Sequence, residues 1–150
     1  MQDETSGLRE GEFLIEGGNE KLWRQVTPTW VHDGRVTSQI FKPTPKDTGE
    51  LSVTRQSKVT PKEAYDYYTR VLNLSSVGVY SVDVDEVRGE SLHAVDDSMV
   101  EDGETRPPGH SFIDFKHLTS KGSRERRGAN LRDKAEKRGW QYRPGVAEEQ

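Results

Sequence analysis

One segment limits the fold of this chain more than any other. Residues 60–72 combine a threonine N-cap, Pro61 in the first turn and Glu63 at the third helical position, a pattern that satisfies the free amides of a helix start. Ala64, Tyr67, Tyr68, Val71 and Leu72 then fall at i, i+3, i+4, i+7 and i+8. The spacing predicts a helix with one apolar stripe, and a stripe of that kind must lie on a partner surface. The partner is read from short runs with a period of two. Residues 12–16, 22–26, 51–55, 77–85, 92–95 and 111–115 are the expected strands.

Asp33-Gly34 lies between two β-prone runs, 29–32 and 35–41, and predicts a tight hairpin. In its second arm Val36, Ser38 and Ile40 would share one face, and Thr37, Gln39 and Phe41 the other. Along 77–85, Tyr80, Val82 and Val84 would point inward, leaving Ser81, Asp83 and Asp85 on the opposite face. Residues 96–109 are acidic and carry Pro107-Pro108-Gly109, a long connector. Residues 123–138 read as a charged helix that stops at Gly139, with Trp140 folding back on Ala135 and Gly128 weakening the middle. The resulting order is β-β-β-β-α-β-β-β-α. The expected class is α+β, a single domain whose mixed or largely antiparallel sheet is packed by the amphipathic helix 60–72 plus the charged C-terminal helix. That domain would span 11–143, between a flexible N-terminus at 1–10 and a flexible tail at 144–150.

Charge along the chain is split. Residues 116–143 hold ten Lys/Arg against three acids, a net of +7, while the remainder holds 12 bases and 23 acids, a net of −11. Residues 83–104 alone have nine acids and one base, Arg88. The asymmetry predicts a basic C-terminal arm that projects outward and engages an acidic protein surface or a nucleic-acid phosphate backbone. Arg124, Arg126, Arg127, Arg132, Lys134, Lys137 and Arg138 would supply the charge, with Trp140 and Tyr142 adding stacking area. The other outcome is that the arm docks on the chain's own acidic 83–104 stretch.

Several chemistries lack their signatures. Cysteine is absent, which removes disulfides, thiolate catalysis and Cys-based zinc sites. His32, His93, His110 and His117 show no metal-ligand spacing, so no metal site and no cofactor are expected. No phosphate-binding Gly-rich loop, G-x-S-x-G elbow or dinucleotide fingerprint occurs. A Ser-His-Asp triad assembles in space, and nothing in the sequence points to one. No apolar run approaches the roughly 18 residues of a membrane span. The polar, acidic start MQDETSGLRE lacks a secretory pattern, so the expected compartment is the cytoplasm. A small binding or accessory protein is the leading expectation.

Arg24 stands out because it sits inside an apolar run beside Trp23. Simple alternation turns it outward while Trp23 packs; the functional alternative is an arginine that holds an anionic ligand. Arg24, Ser52 and Glu86 also occur in the order arginine, serine, acid. That order resembles the ADP-ribosyltransferase superfamily, with three single residues and no extended motif carrying the likeness. The resemblance implies a small NAD-dependent enzyme in which Arg24 and Ser52 bind NAD and Glu86 orients the ribose.

Overall fold

The computed structural model describes residues 7–44 and 48–145. The looseness expected of the chain ends falls mainly on 1–6 and 146–150, which lie outside the described residues. Strands β1 (Phe13–Leu14), β2 (Lys21–Gln25), β3 (Val31–His32), β4 (Arg35–Val36), β5 (Glu50–Arg55), β6 (Val79–Asp83), β7 (His93–Asp96) and β8 (His110–Asp114) are joined by helices α1 (Pro61–Asp66), α2 (Val84–Gly89) and α3 (Lys121–Arg138). Six strands form one sheet in the order β1-β7-β8-β5-β2-β6, and every pairing in it is antiparallel. The chain is thus a small α+β domain.

The two faces of the sheet are covered differently. On one, α3 and the 3-10 turn Ser38–Phe41 close over Leu22, Leu51, Val82 and Ile113, with Leu131 and Ala135 of α3 fully buried. On the other, Ala64 of α1 packs on Trp23 and Val79. After α3 the chain rounds the β6 edge. Gln141 donates its amide to the Val79 carbonyl, and the Tyr142 carbonyl accepts from the Val79 amide. Tyr142 then meets Tyr65 of α1 at 5.0 Å, so this strap ties the two faces together.

Three local expectations change. The 60–72 helix keeps its Thr60/Glu63 capping box but is regular only to Asp66; Tyr67–Val71 forms a wider π turn in which the Leu72 amide reaches the Tyr67 carbonyl. That turn rotates the stripe off the sheet, leaving Val71 59% and Leu72 40% exposed. Strand β6 ends at Asp83, whose carboxylate caps α2 in a second capping box with Glu86. Asp85 therefore belongs to a helix, not to a strand face; the Asp-x-x-Glu spacing was present in the sequence and marks the start. The Asp33-Gly34 turn forms with positive φ at both residues, but its arms are two residues long, and Ile40 and Phe41 are both buried instead of on opposite faces. Trp140 packs back on the core cluster that holds Ala135 and meets the Tyr80 ring at 4.5 Å in a tilted contact.

Gly128 does not break α3, which runs unbroken from Lys121. A Cβ there would come within 2.6 Å of the Phe41 backbone oxygen, so glycine allows the helix to approach the sheet side closely. Gly128→Ala is expected to lower the melting temperature despite alanine's better helix propensity. Gly122→Ala, where nothing lies within 4 Å, should gain up to about 1 kcal/mol from propensity alone. Thermal denaturation of the two variants checks the contrast.

Candidate active site

The register of β5, β8 and β7 lines up three side chains on the face that α1 only partly covers. Thr54 is opposite His110 and Ser52 opposite Phe112 in the β5–β8 pair. Because alternate residues share a face, Ser52 and His110 become diagonal neighbours. Asp97 follows directly after β7, on the other side of β8. His110 Nδ1 lies 2.6 Å from Asp97 Oδ1, and His110 Nε2 lies 3.2 Å from Ser52 Oγ. The result is a continuous Asp-His-Ser hydrogen-bonded chain across three adjacent strands.

Asp97 and its neighbour Asp96 are held from opposite sides. Asp96, 1% exposed, accepts from Arg55 Nη1 at 2.9 Å and from the Ser98 amide and hydroxyl. Arg55 is fixed in turn by a two-pronged contact to Glu20 at 3.0 and 2.7 Å. Asp97, 4% exposed, receives His110 on one oxygen and Arg106 Nε at 3.4 Å on the other. Arg106 is oriented by Asp102 at 2.9 and 2.8 Å, and that contact holds the Asp102 carboxyl well below the usual carboxylate range. The Pro-Pro-Gly turn delivers His110. Its amide reaches the Pro107 carbonyl, and Gly109, at φ 74°, leaves no room for a side chain beside Lys58.

Ser52 and His110 line a cavity of about 430 Å³ between the α1–π segment and the 97–109 loop. Its walls are mainly aromatic and aliphatic: Trp23, Trp30, Tyr67, Tyr68 and Leu72 among them. Trp23 turns its ring to the cavity because Nε1 is tied to the Val59 carbonyl at 2.8 Å. Arg24 is in the wall too, not simply on open surface. Its Nε donates to the Ile40 carbonyl at 2.8 Å, its Nη1 to the Ser52 carbonyl at 2.9 Å, and its guanidinium lies 5.0 Å from the Trp30 ring. Burial pushes the Tyr68 phenol up, with the Arg24 charge opposing.

The residues singled out from sequence fare unequally. Arg24 and Ser52 do share one cavity, but Glu86 sits in the α2 capping box and receives Arg138 at 2.9 Å, away from that cavity. The basic segment is a docked helix with a strap, not a projecting arm. Arg138 contacts Asp83, Glu86 and the Ser81 carbonyl. Arg132 donates to Asp133 and the Val36 carbonyl, and Arg124 to the Leu118 and Phe115 carbonyls. Arg127 lies 3.9 Å from Glu90. Trp140 is covered by Tyr80 on one side and Arg143 at 5.0 Å on another, and Tyr142 belongs to the strap. Arg126, Lys134 and Lys137 make no hydrogen bond or ion pair among the described residues.

His110 and Asp97 were not foreseen as functional. They are 58 and 45 residues from Ser52, and only the strand pairing joins them. No family model matches the chain, and comparison with curated proteins and with solved structures gives no match.

The Glu20–Arg55–Asp96 cluster fixes the corner from which Asp97 projects. Contacts with Arg55 and Ser98 lower the Asp96 carboxyl below its ordinary value, against the opposing effect of burial, and contacts with Arg55 and Ser57 do the same for Glu20. Folded values below the unfolded ones mean stability that is present above about pH 4 and is lost as pH falls through the folded values. Arg55→Met, which strands buried Asp96, should cost roughly 3–5 kcal/mol at neutral pH. The difference from wild type should shrink in acid, as read by denaturant unfolding from neutral pH to pH about 3.

Proposed function

We propose that Ser52, His110 and Asp97 form a nucleophile, base and orienting acid that transfer an acyl group. The observation that carries this reading is the unbroken 2.6 and 3.2 Å chain from a buried carboxylate to a serine at the wall of a mainly apolar cavity. Each member has the role its environment suits. Asp97, buried and braced by Arg106, accepts Nδ1–H and thereby leaves Nε2 as the acceptor for the Ser52 hydroxyl. Ser52 Oγ attacks an ester carbonyl carbon while its proton passes to Nε2. The C–O bond to the leaving group breaks, and the same proton goes to the departing alkoxide. Water then attacks the acyl-serine by the reverse proton route and releases an acid. Arg24 Nη1 donates to the Ser52 carbonyl and so steadies the strand that carries the nucleophile.

Incubation with a fluorophosphonate should add one phosphonyl group, mapped to Ser52 by peptide mass spectrometry. Ser52→Ala should abolish the adduct. Asp97→Asn should slow labelling and p-nitrophenyl acetate hydrolysis by ~10²–10⁴-fold by removing the group that fixes the tautomer. A folded wild-type protein that takes no adduct and turns over no ester would overturn the reading.

A second reading, NAD binding, is favoured by one observation: Arg24 and Ser52 line the same cavity as Trp30, Tyr67 and Tyr68, which suit a planar ring. Glu86 could not orient a ribose there. NAD should then raise the melting temperature, and Arg24→Ala should remove the shift. Binding of an acidic protein or nucleic-acid backbone by α3 stays a proposal with a narrower carrier, Arg126, Lys134 and Lys137. The geometry supports it less, because the other cations of the helix serve the fold.

A further inference from the structure

We infer that the acyl group accepted by Ser52 is the single hydrocarbon chain of an amphiphile, lying in the cavity and leaving it over Leu72 and Leu74. This rests on the nucleophile reading of Ser52 and adds the class of substrate. Three independent features of the site argue for it.

The first is what the wall offers a ligand. Several polar groups of the wall are engaged with partners, while the Thr54, Tyr67 and Tyr68 hydroxyls make no hydrogen bond among the described residues. Trp23 Nε1 is bonded to Val59, Glu63 is closed into the capping box with Thr60, the Gln25 carbonyl oxygen accepts from Ser76, and Arg24 donates to two carbonyls. Besides those hydroxyls the wall presents mainly ring faces and methyl groups. A polar substrate would find few matching bonds there for the water it gives up, whereas a hydrocarbon chain has none to lose.

The second is the mouth. Val71, Leu72 and Leu74 are 59%, 40% and 48% exposed, and Leu72 and Leu74 are also part of the cavity lining. Leu72 and Leu74 therefore belong both to the cavity lining and to the outer surface. Clustered exposure of this kind marks a binding surface in a soluble protein. Its cause is the π turn at Tyr67–Val71, followed by Asn73 in the left-handed region, which aims these residues at the rim and away from the sheet.

The third is size. At about 430 Å³, the cavity stands in the lower half of the roughly 300–1,000 Å³ range of small-molecule sites. One chain fits such a space better than the paired chains of a bilayer lipid.

The test uses Ser52→Ala, so that binding is read without turnover. Methyl butyrate, octanoate and dodecanoate are titrated below their solubility limits in water, and the fluorescence of Trp23 and Trp30, both in the wall, reports occupancy. Affinity should rise about fourfold for each added methylene until the cavity is filled. Leu74→Asp, at the exposed rim, should weaken dodecanoate binding at least tenfold and leave butyrate unchanged. Equal affinity for the three esters, or dodecanoate binding indifferent to Leu74→Asp, overturns the inference. Turnover by wild type separates the two claims. Length-dependent binding with no turnover removes Ser52 as nucleophile and leaves a chain-binding cavity. Turnover without any preference for length removes the amphiphile and leaves the nucleophile.

Discussion

The antiparallel pairing of β5 with β8 does more than close the middle of the sheet. Its register, with Ser52 across from Phe112 and Thr54 across from His110, decides that a hydroxyl and an imidazole meet at all. A shift of one residue would turn Ser52 to the α3 face and bring Leu51 or Val53 to the cavity. That shift is blocked by burial. Leu51, Val53 and Ile113 are buried in the core beneath α3, so the apolar alternation of both strands fixes the register that the polar residues use. The site is thus a by-product of core packing on the opposite face. Its third member depends on the same ladder system, because β7 pairs with β8 and ends one residue before Asp97.

The uneven charge of the chain finds part of its resolution inside the molecule. The acidic stretch and the basic helix meet where Asp83 and Glu86 face Arg138 and where Glu90 faces Arg127 and Asn130. Arg35 and Lys42, from outside the basic segment, pair instead with two of its own acids, Glu136 and Glu125. These contacts are half-exposed, and each is worth little in water. Gly128, Leu131 and Ala135 form the buried face that holds the helix down and sets its rotation about its own axis. At Arg138 and Arg127 the basic helix closes on the acidic stretch, while Arg126, Lys134 and Lys137 stay outside that contact.

How much of this could be read beforehand follows from the range of the forces involved. Strands with local alternation, the Asp33-Gly34 turn, the Thr60 cap and the C-terminal helix are encoded in neighbouring residues, and they appear except that the hairpin arms shrink to two residues and Ser38–Phe41 forms a 3-10 turn. The π turn is not, because helical periodicity through Leu72 is equally consistent with a regular helix lying flat on the sheet. Helix α2 was hidden by the alternation of Val82, Asp83, Val84 and Asp85, although Asp83 and Glu86 carry a capping signal. Arg24 and Ser52 were legible as a pair worth watching. His110 and Asp97 were not, since strand order β7-β8-β5 is a tertiary outcome with no local trace.

The strap at residues 139–142 has a consequence for how this molecule meets copies of itself. A six-stranded open sheet has two borders where unpaired peptide groups invite another chain. Here one border, β6, is already hydrogen-bonded at Val79 to Gln141 and Tyr142, and the other, β1, is only two residues long. Among the described residues the strap takes up the Val79 peptide groups of one border and the shortness of β1 limits the other, two ways in which a sheet resists lateral strand addition.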